Sequence, residues 1–180
     1  MTEGTGTERT LVLLRHAKAE SPPGVADVER PLAVRGRADA VAAGAWLTDH
    51  GYLPTLVICS PAARTRQTWH GVALGLSGRA DQPAGHVPST GPQVRYETTA
   101  YAASPGELLE LVRAVDQATS TVLLIAHNPG ISLLSGLLDP GQLRDEGLRT
   151  AGLAAHRVGT AWADLGPGTA PLVRAHTARA

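Results

Sequence analysis

The chain has 180 residues, 43% of them hydrophobic, which predicts one soluble globular domain over residues 1–180. Lys plus Arg and Asp plus Glu number 16 each, so the balanced charge argues against nucleic acid or a membrane surface as a general partner. The single cysteine, Cys59, excludes an internal disulfide. It favours a cytoplasmic protein, as do a polar start unlike a signal peptide and the lack of a bilayer-spanning apolar run.

The first part of the chain predicts a buried strand followed by a helix. We expect residues 1–9 to be disordered and the aliphatic run at 11–14 to form a strand buried on both faces, which stops at Arg15 and His16. A polar loop follows, and then a helix over 34–49. The spacing predicts that this helix buries the face formed by Val34, Ala38, Val41 and Ala45.

The middle of the chain repeats this alternation. A second strand is predicted over 55–59, with Ser60 as the N-cap and Pro61 as the first residue of the next helix. Residues 75–93 are rich in Gly, Pro and Ser and predict a mobile loop. A short strand over 93–96 follows it.

The last part of the chain predicts two more helices and three more strands. Ser104 and Glu107 form a capping box for a helix, and a buried strand over 122–126 ends at His127 before another helix. Strands over 152–158 and 170–176 are joined by a Gly/Pro turn, which predicts an antiparallel pair. The fold class is therefore α/β, with three layers, a mostly parallel sheet and a carboxyl-terminal antiparallel strand pair.

Parallel strands place the residues that follow them at one edge of the sheet, where ligands bind in such folds. That edge would collect five side chains that carry chemistry: Arg15, His16, Arg64, Glu97 and His127. Two guanidinium forks suit a tetrahedral oxyanion. A neutral imidazole suits attack on phosphorus, and the arginines should lower its pKa.

These properties predict a phosphatase with His16 as its nucleophile. His127 would donate a hydrogen bond to a phosphoryl oxygen, and Glu97 is the candidate acid and base. We expect no metal and no cofactor, because the arginines can stabilise the charge of the transition state. The spacing from Cys59 to Arg64 or Arg66 does not fit a cysteine-dependent phosphatase, so Cys59 is interpreted as a core residue.

Four blocks of sequence resemble the histidine phosphatase superfamily, and most closely its small phosphohistidine phosphatases of the SixA type. The blocks are Leu13-Leu14-Arg15-His16-Ala17-Lys18-Ala19-Glu20, Arg30-Pro31-Leu32 with Arg35-Gly36, Ser60-Pro61-Ala62-Ala63-Arg64-Thr65-Arg66-Gln67-Thr68, and Ala126-His127-Asn128-Pro129-Gly130. The resemblance implies a phosphoglycerate mutase-like fold, His16 as nucleophile, Arg15 and Arg64 as phosphate ligands and His127 as the second histidine. Ala17 replaces the usual glycine, and Lys18-Ala19-Glu20 replaces the Ser and Asn frequent in the mutase branch.

The substrate stays open at this point. The short chain favours phosphohistidine on a partner protein, because a shallow pocket would admit a protein surface. A small phosphomonoester is the alternative substrate, and a phosphate-binding module without turnover is the alternative function. We expect a monomer or a weak dimer.

Overall fold

The computed structural model describes residues 8–78, 91–142 and 146–180. Within these residues there are six strands and four α-helices, and strands and helices alternate from β1 to β5. They are β1 (Arg9–Arg15), α1 (Val34–Asp49), β2 (Leu56–Cys59), α2 (Ala63–Ser77), β3 (Gln93–Tyr96), α3 (Pro105–Arg113), β4 (Thr121–Ala126), α4 (Gly130–Leu138), β5 (Gly152–Val158) and β6 (Leu172–Thr177). Short 3₁₀ turns at Asp27–Glu29 and Thr98–Ala100 follow β1 and β3.

The strands form a single sheet in the order β3-β2-β4-β1-β5-β6. The first four strands in this order are parallel, and β5 lies antiparallel to both β1 and β6. This arrangement confirms the predicted α/β class, including the antiparallel pair at the carboxyl-terminal end. The register pairs Arg15 with Ala126 and Cys59 with Ile125, so β1, β2 and β4 end at the same level.

The sheet separates two hydrophobic cores, because alternate residues of each buried strand point to opposite faces. On one face, Leu11 and Leu13 pack with side chains of α3 and α4. On the other face, Val12 and Leu14 pack with side chains of α1 and α2. The helices therefore cover both faces of the sheet, which gives the three predicted layers.

The predicted buried face of α1 is wrong. All four of its predicted members are exposed, and the buried residues of the helix are Gly36, Asp39, Ala40, Ala43, Gly44 and Leu47. The reason is the close approach of α1 to α2: a Cβ on Gly44 would lie 2.1 Å from the carbonyl oxygen of Val72. Small residues let the two helices approach, and valine at the same contact would hold them apart.

Two predicted irregular segments are shorter than expected. Arg9 belongs to β1 rather than to a disordered start, and the helix α2 continues to Ser77. Gln93 likewise begins a strand. The rest of both predictions, at 1–7 and 79–90, lies outside the described residues. No helix within the described ranges combines the length and the apolar character that a membrane span requires.

Candidate active site

Two imidazoles lie side by side at the carboxyl edge of the sheet. His16 follows β1 and His127 follows β4, and the two strands are hydrogen-bonded neighbours. Their ring centroids are 5.2 Å apart, with the ring planes inclined at 55°. The parallel register therefore brings together two histidines that are far apart in sequence.

The ring of His16 is held in one tautomer by the backbone of the next residue, Ala17. Its Nδ1 lies 2.8 Å from the carbonyl oxygen of Ala17, and since a carbonyl can only accept, Nδ1 carries the proton. In the neutral ring this leaves a lone pair on Nε2. The N–H of Ala17 donates to the hydroxyl of Thr68 at 3.0 Å, which fixes this turn against α2.

His127 is oriented by Ser60, the residue after β2. Its Nε2 lies 2.7 Å from the Ser60 hydroxyl, which also accepts a hydrogen bond from the N–H of Ala62 at 3.4 Å. In the tautomer in which the Ser60 hydroxyl donates to Nε2, the ring proton of His127 sits on Nδ1. That Nδ1 is buried and has no hydrogen-bond partner among the described residues.

Both histidines have strongly lowered pKa values. Burial is the largest cause for each, and the positive charges of Arg64 and Arg15 add to it. The pKa of His16 falls to about 4 and that of His127 to about 3. Both rings are consequently neutral at physiological pH, which is the state in which His16 can attack and His127 can donate from one nitrogen.

Arg15 approaches the same place from the end of β1. Its Nη1 donates to the carbonyl oxygen of Leu148 at 3.1 Å, and the same oxygen accepts from the Asn128 side chain at 2.9 Å. Ser132 links this network further, because it donates to Asn128 and accepts from the N–H of Leu148. The Nε of Arg15 is buried without a described partner.

Arg64 enters the site from the first turn of α2. This helix has no side-chain cap and no acidic residue in its first turn within the described chain. No side chain there offsets the partial positive charge at its amino-terminal end. The Nη1 and Nη2 atoms of Arg64 both donate to Asp27, while its Nε is buried with no described partner. Asp27 also accepts hydrogen bonds from Tyr101 and Arg30.

Three buried nitrogen atoms around His16 are thus left without a hydrogen-bond partner within the described structure. They are Nε of Arg15, Nε of Arg64 and Nδ1 of His127. Leaving buried donors unpaired costs free energy, and two of the three belong to cations. Such a set fits a ligand with several negatively charged oxygens, as in a phosphoryl group.

Comparison with known proteins also points to phosphoryl chemistry. The sequence model of the histidine phosphatase superfamily (branch 1) matches residues 11–83. An uncharacterized protein of Mycobacterium tuberculosis is 37% identical over 174 residues, which cover 92% of this chain and all of the relative. A solved structure assigned to the phosphohistidine phosphatase SixA of Nakamurella multipartitia is 34% identical, with 96% of this chain and 98% of that one covered and a TM-score of 0.79.

The chain belongs to the histidine phosphatase superfamily. Within it the chain is SixA-like, since a structure assigned to SixA of Agrobacterium tumefaciens is also similar. That protein is 26% identical, with a TM-score of 0.73 over 93% of this chain and 97% of the other. Membership of this family supports phosphatase activity for the chain.

The structure brings together four of the five predicted site residues of this histidine phosphatase, and the role of the fifth, Glu97, stays a prediction. The rings of His16 and His127 are neighbours, and Arg15 and Arg64 lie close enough for their charges to lower the pKa of both rings. Glu97 follows β3, which is the edge strand, three strand spacings from β1. With about 4.8 Å per spacing, Glu97 begins on the order of 14 Å from the backbone of His16.

The predicted role of Ser60 as a helix N-cap is also wrong. The helix α2 begins two residues after Pro61, with Ala62 at its N-cap position. The Ser60 hydroxyl contacts the buried ring of His127 and also accepts from the N–H of Ala62, the residue before the helix. Cys59 is a core residue as predicted, and burial raises the pKa of its thiol to about 12.

Asp27 and Tyr101 are residues of this site that the sequence did not predict. Asp27 begins one short 3₁₀ turn and Tyr101 follows the other, in connecting loops where no periodic pattern marks a residue as buried or directed inward. The one available signal was the Arg30-Pro31-Leu32 block, three residues beyond Asp27. A carboxylate just upstream of that block can pair with an arginine of the site.

A cleft of about 410 Å³ adjoins the Arg15 side of the histidine pair. It lies between α4 and the β5–β6 strands. Its lining includes Leu148, whose carbonyl oxygen accepts from Arg15, and Asn128 and Ser132, which are hydrogen-bonded to Leu148. Neither His16 nor His127 lines it. The two imidazoles therefore lie outside the lining of this cleft.

Proposed function

We propose that this protein is a metal-independent phosphatase that forms a phosphohistidine on His16 and removes phosphate from phosphohistidine on a partner protein. The observation that carries the proposal is the set of three unpartnered buried nitrogens around a neutral His16. The three nitrogens offer hydrogen bonds to the phosphoryl oxygens, and the Nε2 lone pair of His16 is free to meet the phosphorus.

In the first step, Nε2 of His16 forms a bond to phosphorus while the bond to the leaving group breaks. The positive charge that develops on the His16 ring is stabilised by the Nδ1–H bond to the Ala17 carbonyl oxygen. Arg15, Arg64 and the Nδ1–H of His127 stabilise the negative charge on the phosphoryl oxygens. In the second step, water attacks the phosphorus, His16 leaves, and the proton released by water remains on the phosphate.

The choice of substrate follows from the acids near the site. The pKa of Asp27 is held well below its usual range by the Tyr101 hydroxyl and by Arg30 and Arg64, while Glu97 follows the edge strand β3. Asp27, the carboxyl hydrogen-bonded to Arg64, therefore carries no proton to donate at neutral pH. An alcohol leaving group needs such a proton, whereas an imidazole that already carries a proton on its other nitrogen leaves as a neutral molecule.

Comparative turnover tests the proposal. We expect the protein to hydrolyse a phosphohistidine peptide faster than a sugar phosphate, a nucleotide or an aryl phosphate, with equal rates in the presence and absence of a chelator. Preference for a phosphomonoester would support a small-molecule phosphatase instead. Binding of phosphate without turnover of any of these would support a recognition module, and loss of activity with the chelator would refute the metal-free mechanism.

A further inference from the structure

The guanidinium of Arg64 is held by two different groups of Asp27. Its Nη1 donates to the backbone carbonyl oxygen of Asp27 at 2.7 Å, and its Nη2 donates to the Oδ2 atom at 3.1 Å. The Arg64 side chain is 8% exposed, whereas that of Asp27 is 54% exposed. With both terminal nitrogens occupied, the remaining donor of Arg64 is Nε, which is buried and unpartnered within the described chain.

Asp27 is itself held from two sides. The Tyr101 hydroxyl donates to Oδ2 at 2.5 Å, and Nη1 of Arg30 donates to Oδ1 at 3.1 Å. The Tyr101 ring lies 6.0 Å from Cζ of Arg64 and edge-on to His127, with ring centroids 5.6 Å apart. The loops that follow β1 and β3 are therefore tied together directly beside the two imidazoles.

We propose that Asp27 is a positioning residue, which orients Arg64 so that its Nε–H is directed at the transferring phosphoryl group, and that the Tyr101 hydroxyl fixes Asp27 for this purpose. This inference rests on the proposed function of the site. A guanidinium held at both terminal nitrogens loses its freedom to rotate, so its third donor direction is set before the substrate arrives.

The negative charge of Asp27 opposes phosphate binding even as its hydrogen bonds orient Arg64, because a carboxylate near the site repels a phosphoryl dianion. An opposite interpretation follows from that charge: Asp27 would be an internal anion that competes with the substrate for Arg64. The two interpretations differ in what happens when the side chain is removed. Asp27→Ala removes the charge and the side-chain acceptor of Nη2, and it keeps only the backbone acceptor of Nη1. Asp27→Asn removes the charge, keeps one oxygen for Arg64 and Tyr101, and replaces the oxygen that accepts from Arg30 with an amide group.

The kinetic test compares these variants with aryl phosphate as substrate and tungstate as an inhibitor. We expect Asp27→Ala to lower kcat/KM by about 10- to 100-fold and to weaken tungstate binding by about tenfold. Asp27→Asn should stay within about threefold of the wild type for both, and Tyr101→Phe should fall between them. Glu110→Ala, which breaks an exposed 2.9 Å ion pair with Arg113 on α3, is the matched control and should change neither quantity.

Three outcomes would overturn the inference. Tighter tungstate binding by Asp27→Ala would identify Asp27 as a competitor. Unchanged kinetics in Asp27→Ala would show that it positions nothing. Equal damage in Asp27→Asn and Asp27→Ala would assign the effect to charge rather than to orientation.

Arginine side-chain NMR of the ligand-free protein tests the same inference without catalysis. We expect separate, slowly exchanging Nη signals for Arg64 in the wild type and in Asp27→Asn. In Asp27→Ala, where only the backbone carbonyl oxygen still accepts from Nη1, the two signals should exchange faster. Averaged Arg64 signals in the wild type would overturn the positioning role. If the wild type hydrolyses no phosphorylated substrate, the proposed function fails, and these spectra still decide whether Asp27 holds Arg64.

Discussion

Nε2 of His127 and the hydroxyl of Ser60 are 2.7 Å apart, across the carboxyl ends of β4 and β2. This contact fixes the ring of His127 beside His16 and leaves its Nδ1 directed away from Ser60. The two strands are neighbours in the sheet, so the contact depends on the parallel register as much as on the two side chains.

The Ser60→Ala substitution should weaken catalysis more than folding. Without the hydroxyl, the buried Nε2 of His127 loses its partner, and the ring can turn or change tautomer. We expect kcat to fall by roughly 10- to 100-fold and the free energy of unfolding by about 1–3 kcal/mol. Enzyme kinetics and denaturant unfolding measure the two effects. Ser77→Ala, which removes an exposed hydroxyl bonded to the Ala73 carbonyl, should change neither.

The Arg64→Lys substitution tests whether the guanidinium fork is needed. A lysine retains the charge but cannot donate to both acceptors of Asp27 and also to a phosphoryl oxygen in fixed directions. We expect kcat/KM to fall by about 100-fold, measured by steady-state kinetics. Arg66→Lys, two residues along the same helix on its exposed side, should remain close to the wild type. Equal effects at both positions would argue against a special role for Arg64.

The Glu97→Gln substitution should have little effect. Its backbone extends the edge strand β3, where its N–H donates to the Cys59 carbonyl oxygen at 2.9 Å. The substitution removes only the carboxylate, and β3 is two strand spacings from β4 and three from β1, the strands that His127 and His16 follow. We therefore expect kcat to change by less than about twofold. A loss of about 100-fold in kcat for a phosphomonoester would restore Glu97 as the acid.

The lowered pKa values of the two histidines predict a particular pH dependence. In the folded state the pKa is about 4 for His16 and about 3 for His127, against 6.5 for an unperturbed histidine. Between these values the unfolded chain binds more protons than the folded one. This contribution to stability is therefore fully present above pH 6.5 and is lost as the pH drops from 6.5 to the folded-state values of about 4 and about 3.

Nitrogen NMR of the histidine side chains checks this directly. At about pH 5.5, both rings should be neutral, with the proton of His16 on Nδ1, while an unburied histidine is mostly protonated. A midpoint for His16 between pH 6 and 7 would contradict the burial and charge arguments made here.

The sequence predicts the parts of this site that lie on regular elements. Arg15, His16 and His127 end apolar strands, and the buried runs alone place them at one edge. The placement of Arg64 at the same edge follows from its position in the first turn of the helix after β2. Which face of α1 is buried is not predictable in this way, because the contact between Gly44 and Val72 depends on how closely α1 and α2 approach each other.

The loop residues of the site were not predictable for a related reason. Asp27 meets Arg64 and Tyr101 through contacts 37 and 74 residues apart in sequence. Such contacts arise only after the sheet has brought the loops together, and neither hydropathy nor spacing encodes them. Ser60 shows the same effect, since its local pattern favours a helix cap while a distant imidazole supplies a better partner.

The central claim is that His16 carries the phosphoryl group, and isolation of the phosphoenzyme tests it most directly. The protein would be mixed with phosphoramidate, quenched in base and analysed by mass spectrometry of its peptides, beside His16→Asn and the control His70→Asn, which alters an exposed histidine. We predict an acid-labile, base-stable phosphoryl group on the peptide that contains His16, in the wild type and in His70→Asn, and none in His16→Asn. A phosphoryl group on any other residue, or turnover that persists in His16→Asn, would contradict this account.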